Sequence, residues 1–467
     1  NIMFLARLLV LFSLVCISCA HSSFEQKQLK HALDFATSNR LELEILLQHY
    51  TYDSLKLEAA KFLIRNMPHC YSYQQGGEMD SVKRVRTYYS PFGQIDQTYA
   101  RRWGHYTYRN LPKIYDAHII TAEYLIDNID RAFDNWQKRP WNRSLSFEDF
   151  CEYLLPYRIG DEPLEEWREL YEKKYGYLLD SIYKGSDVVE AANLVSRHLQ
   201  EPVFIYCEDF ELPHIGPRYL FSHRYGSCVD AADIVTYAFR AVGIPCMEDT
   251  DARGGHVWNV VRDTTGRDVP IWYIASEAVR GSRDTGGYKR GKVYRPMYGF
   301  QEEKAAHLGD DWKSMPLLFY HPYMKDVSYA YYPDTLRILT GIPDDEVCYL
   351  AHFHEAHWWS CACARSASGK MEIPNLESEL VYLPMKYTKG NYYPSGFPFW
   401  FAGGEINTFL PDWEKTVKVR LYRKYPVYGW LRSFMSHVVG GTFEGSMTKD
   451  FEDGKRLYEI ADTPVIA

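Results

Sequence analysis

The chain lacks an apolar run long enough to span a bilayer: the stretch from Leu8 to Ile17 falls short of the roughly 20 residues a membrane helix needs. It also lacks any block of like charge. Its 53 Lys and Arg are scattered and the formal net charge is -8, so no electrostatic footprint for a phosphate backbone exists and nucleic acid is excluded as a partner. Cysteine is sparse. Of ten, Cys16 and Cys19 fall in the first segment, and the other eight show no close, even spacing. That argues against a disulfide framework and for free thiols. What remains is 46% hydrophobic over 467 residues, a folded chain of two to four domains. Its 39 Tyr and 12 Trp suit much β-structure, with some sugar-facing surface.

The opening, NIMFLARLLVLFSLVCISCAHSS, has one cation, Arg7, then the apolar run, then small residues around Cys19. This is the pattern of a secretory signal. Ile17-Ser18-Cys19 resembles the end of a bacterial lipobox, although Cys16 is irregular there. The resemblance makes Cys19 the lipidated first residue of an exported, membrane-anchored lipoprotein at the cell envelope or surface.

Chemistry concentrates between Tyr225 and Tyr273. Cys228, Ala231, Ala232, Val235, Ala238, Phe239 and Val242 recur at helical spacing, with Asp230, Asp233 and Arg240 off the stripe. Ser227 is placed to cap this helix, Asp230 to complete a capping box, and Gly243 with Pro245 to stop it. Cys228 therefore sits in the first turn, where free backbone N–H groups and the helix dipole favour a thiolate. Next come a short strand from Cys246, a loop from Asp251 to Gly255, and HVWNVVRD, whose alternation places His256, Trp258 and Val260 on one face. Asp263 to Gly266 forms a hairpin turn. A thiol at a helix start facing an imidazole is the arrangement for acyl transfer.

GSCVDAADIVTYAFRAVGIPC followed by GGHVWNVV resembles the core of the transglutaminase-like superfamily. The resemblance implies an α+β, papain-like transglutaminase core, with Cys228 as nucleophile and His256 as base. No metal or organic cofactor is implied. The superfamily's usual aspartate would fall near Ile271 and Trp272, where no carboxylate stands. With the turn centred on Thr264 and Thr265, Tyr273 lies opposite His256, so Tyr273 or Glu277 is a candidate third member. Asp249, Asp251 and a backbone carbonyl are further candidates to orient the imidazole. Residues LPYRIGDEPLEEWR are also similar to bacterial transglutaminase-like lipoproteins.

Around this core, helical period runs through LKHALDFATSNRLELEILLQHY and DSLKLEAAKFLIRNM, read as two helices in a hairpin. A loop region holds Lys83, Arg84 and Arg86. Helices follow in AHIITAEYLIDNIDRAFDNW, on either side of Pro156, and from Asp187 to His198. After Tyr273 comes EAVRGSRDTGGYKRGKVYRPMYG, a cationic rim loop plus a strand, solvated or steering an acidic substrate. Short alternating runs from about Val327 onward are the signature of a β-sandwich. There His352 and His354 share a strand face, which falls short of a metal site without further converging ligands. Trp358 and Trp359 face opposite ways, one expected in the core. The expected organisation is a leader over residues 1–19, a helical region over 20–150, the core over 151–300, the sandwich over 301–430, and over 431–467 an incomplete β-module, similar to the start of discoidin-like domains, or a docking tail.

The expected function is a thiol hydrolase acting on peptide or other amide bonds of a peptide, protein or peptidoglycan-like substrate, with transamidation left open. The alternative is a non-catalytic surface protein that recognises glycan or protein, with glycan contact through the sandwich.

Overall fold

In a computed structural model, which describes residues 24–77, 79–81, 83, 108–206, 212–253, 255–272, 274, 276–282, 289–302, 315–339, 344, 346–354, 357–415, 439–448 and 453–461, the chain is mixed α and β. It divides into two compact units. One holds Asn1–Tyr288, Val293–His307 and His321–Ala330; the other holds Lys289–Lys292, Leu308–Tyr320 and Tyr331–Ala467. Cys19, Arg84, Arg86 and Tyr273 lie outside the described residues. Among the described residues no helix is long and apolar enough to cross a membrane.

The first expected helix is interrupted. Helix covers 24–35, a 3-10 turn spans Thr37–Asn39, and helix resumes over Arg40–His49. Thr37 takes φ 50°, and the Asn39 amide donates to the Ala117 and Ile120 carbonyls, so tertiary contacts hold the break that periodicity did not register. Asp53 caps Ser54–Asn66 by accepting from the Lys56 N–H. These helices and Ala122–Lys138 enclose a core that includes Leu43, Leu46, Leu63, Ile129 and Phe133. A two-stranded antiparallel pair, β1 (Tyr71–Tyr73) with β2 (Lys113–Tyr115), was not anticipated.

Helices Phe147–Tyr153 and Arg168–Tyr177 flank Pro156, as its missing N–H requires, and Asp187 caps Val188–His198. Short strands β3 (Ile205–Tyr206) and β4 (Tyr225–Gly226) pair in parallel just before the helix Cys228–Ala241. That helix packs on a five-stranded antiparallel sheet: β5 (Cys246–Asp251), β6 (Val257–Arg262), β7 (Asp268–Ile271), β8 (Val293–Pro296) and β9 (Met324–Asp326), in the order β7-β6-β5-β8-β9. Leu178, Val195, Ile234, Phe239, Val261 and Ile271 join in this second core. Full burial of each such side chain contributes about 1.5–3 kcal/mol.

Among the described residues, the later cations of the stretch after Tyr273 do not form a solvated rim, although Arg280 is exposed. Arg290, Lys292 and Arg295 are all buried, and Arg280 pairs with Asp187 and Asp263. Charge density alone does not reveal which cations have buried carboxylates waiting for them.

The second unit is β-rich. Strands β10 (Leu336–Leu339) and β13 (Lys370–Ile373) form one pair. Strands β11 (Val347–His354), β12 (His357–Arg365), β14 (Leu380–Thr388), β16 (Phe399–Ala402) and β17 (Glu405–Thr408) run in the order β12-β11-β14-β16-β17, with β15 (Asn391–Pro394) also on β14. Strands β18 (Thr442–Gly445) and β19 (Lys455–Glu459) form a separate hairpin. His352 is fully buried, and no group of three or more metal-ligating side chains comes together among the described residues. Neither Trp358 nor Trp359 is fully buried, which corrects the expectation that one is core.

Candidate functional site

The start of the Cys228 helix follows from its sequence. The Asp230 carboxylate accepts from the Ser227 N–H at 2.7 Å and from its hydroxyl at 3.0 Å, closing the capping box. A Cβ on Gly226 would lie 2.2 Å from that carboxylate, so only glycine fits there. At the far end the Ile244 N–H reaches the Phe239 carbonyl at 2.9 Å and the Gly243 N–H reaches Arg240 at 3.4 Å. With Gly243 at φ 80° this is a Schellman stop.

The helix is not amphipathic in its surroundings. Asp230, Asp233 and Arg240, off the apolar stripe, are buried with every other residue from Asp230 to Ala241. Each has a polar partner. Arg240 donates to the Cys246 carbonyl at 3.1 Å, and Asp233 meets the His214 Nδ1 at 2.9 Å. Burial works against the His214 imidazolium, but the Asp233 carboxylate, with Asp161 and Glu162 near it, holds the His214 pKa well above its ordinary value. Sequence reasoning missed His214, because 19 positions and a loop separate it from its partner.

Cys228, Ala231 and Ala232, on one side of the first turns, line a narrow cavity together with His256, Trp258 and Trp272. The free space is about 10 Å³, room for about one water molecule. The structure thus brings Cys228 and His256 to one place. His256 and Trp258 share a face, as the alternation predicts, but that face is not the one that bonds the helix. The β6 side chain that bonds the helix is Asn259, whose amide donates to the Ala232 carbonyl at 3.1 Å and to Thr236 Oγ1 at 2.9 Å. Trp258 faces the other way by alternation. His256 precedes the first residue of β6, and its carbonyl accepts from the Thr250 hydroxyl at 3.1 Å. Its ring lies over Trp258, centroids 5.8 Å apart and planes inclined 26°, and Trp258 contacts Trp272 at 5.2 Å.

The candidate orienting groups are engaged elsewhere. Asp249 receives the Arg295 guanidinium at 2.5 and 2.9 Å. Asp251 accepts from the Arg253 and Gly255 N–H groups at 3.0 and 2.9 Å and from the Arg253 side chain. Glu277 is exposed and pairs with Arg197 at 3.0 Å. Tyr273 lies outside the described residues. The hairpin register, Asn259 with Ile271 and Arg262 with Asp268, runs one residue out of step with a pairing of Tyr273 and His256. The turn spans Asp263 to Arg267, closed by the Asp263 N–H on the Arg267 carbonyl at 2.8 Å, one residue longer than expected.

With this geometry in hand, comparison with known proteins is silent: no protein-family model, curated protein or solved structure matches the chain.

Proposed function

We propose that the chain is a thiol acyl-transfer enzyme of the transglutaminase-like type with a papain-like core, acting as a hydrolase on peptide or other amide bonds. The observation that carries this reading is the shared cavity, with Cys228 in the first turn of its helix and His256 on its wall. In the proposed reaction His256 takes the Cys228 proton and the thiolate attacks the amide carbonyl. Backbone N–H groups of the helix start hold the oxyanion. The imidazolium returns the proton to the departing amine, leaving a thioester. His256 then deprotonates a water, which releases the acid and restores the thiol. Stacking on Trp258 helps to orient the imidazole. The free space is far smaller than an acyl group, so substrate displaces side chains at the cavity wall, where Tyr206 is 44% exposed.

The same reading includes an exported protein held at the envelope by a lipid on Cys19. A second reading, a binding protein with a decayed site, draws on the engagement of Asp249, Asp251 and Glu277 with other partners.

Alkylation separates the two. Among the seven described cysteines, all free thiols, only Cys228 and Cys363 are not buried, so Cys363 serves as an internal standard. Enzymatic function requires iodoacetamide to modify Cys228 faster than Cys363 below the ordinary thiol pKa of about 8.5, and His256→Ala to remove the advantage. Equal rates at every pH would sink the proposal.

A further inference from the structure

We infer that the six-stranded sheet of the second unit carries a platform for a neutral, extended polysaccharide, a single line of exposed aromatic rings crossing the strands. Phe353 on β11 is opposite Trp358 on β12, and their rings meet edge to face with centroids 5.2 Å apart. On the other side of β11 the register pairs Ala351 with Leu383 and His352 with Tyr382, so its next step sets Phe353 beside Val381 of β14. Val381 is opposite Trp400 of β16, and Trp400 opposite Asn407 of β17. Directly paired residues share a face, so Trp358, Phe353, Val381, Trp400 and Asn407 form one transverse row.

The row is open where its neighbours on one side are closed. Phe353 is 51% exposed and Trp400 39%, whereas Ala351, Leu383 and Met385 on the same face are buried. A soluble fold leaves few large rings in such an alignment without a use for them. The rings fall on one line across the strands, which suits a linear partner. Phe353 and Trp400 stand two strands apart, about 10 Å. That is close to the reach of two pyranose rings end to end, with the lower Val381 between them. Aromatic faces stack on the C–H faces of such sugars. The end of the row supplies groups for hydroxyls: Asn407, and Glu405 two residues earlier on the same face, are both exposed. Charge is absent from the row itself, which favours a neutral chain over a polyanion.

Affinity electrophoresis of the full chain in gels containing a soluble, neutral β-glucan tests the assignment. Retardation is expected, with apparent affinity falling on the order of tenfold in F353A/W400A and mostly retained in W400F. Both substituted rings are substantially exposed, so an unchanged thermal midpoint is expected and checks that the variant folds. No retardation of the unsubstituted chain, or equal retardation of F353A/W400A, overturns the proposal. Concentration-dependent self-association in sedimentation, lost in F353A/W400A and unaccompanied by retardation, would overturn it in favour of a second copy of this chain.

Discussion

The two faces of the five-stranded sheet of the first unit are both buried and both polar, yet they are polar in different ways. Under the Cys228 helix, Thr236 donates to Glu248 at 2.7 Å and accepts from Asn259 at 2.9 Å. Burial raises the Glu248 pKa, which favours its neutral form in this network. On the opposite face Arg295 joins Asp249 at 2.5 Å and Asp268 at 2.8 Å, with Tyr153 donating to Asp268 at 3.0 Å and Arg262 paired to Asp268 at 3.2 Å. One face is a hydrogen-bond relay that reaches the cavity wall through Asn259. The other is a set of ion pairs that ties β5, β7 and β8 together. The relay should matter for reactivity and the ion pairs for stability.

The largest effect is expected on the ionic face. Arg295→Met leaves Asp249 and Asp268 buried with their main cation gone, a loss of about 3–5 kcal/mol in a urea titration. The Cys228 alkylation rate in the remaining folded protein should not change. A changed rate with stability intact would reverse the division between the faces.

A smaller effect is expected from the ion pair on the helix itself. The folded pKa of His214 lies above its unfolded value, so its contribution is lost as pH rises from about 6.5 through the higher folded pKa, while burial also raises the Asp233 pKa and protonation of that carboxyl weakens the pair in acid. His214→Gln should cost about 2 kcal/mol at pH 6 and markedly less in alkaline solution. Urea midpoints measured across that range check the sign, and a constant difference between the two proteins would contradict it.

Thr236→Val tests the neutral face. It removes the hydroxyl between Asn259 and Glu248, costs about 1–2 kcal/mol, and should slow Cys228 alkylation because Asn259 lines the cavity. The smallest change is Asp230→Ala, which opens the capping box for about 1 kcal/mol in thermal unfolding. It should leave the ionic face untouched.

The helix and its ends were legible because their causes are local. Ser227 and Asp230 are three residues apart, and Gly243 must adopt φ 80° to end the helix where it does. Likewise Pro156 divides two helices, and the alternating runs between Val347 and Ala402 became strands, whereas the run at Val327 holds a 3-10 turn over Ser328–Ala330. Where causes were distant, reading by pattern failed. Periodicity placed Asp233 and Arg240 off the apolar stripe but did not show their partners, His214 and the Cys246 carbonyl, which arrive from other segments. The cations of Arg290 to Arg295 read as a rim for the same reason. The hairpin register moved by one residue because turn length depends on how Asp263 closes on Arg267.

By itself the sequence determined the helix that begins at Cys228, the strand that follows His256 and the hairpin after it, since capping, glycine conformation and alternation act within a few residues. Only the tertiary structure decided that His256 reaches the cavity from the end of its strand, that Asn259 rather than Trp258 bonds the helix, and that Asp249 belongs to Arg295. Those outcomes depend on which groups lose water together, and an isolated segment carries no record of its future neighbours.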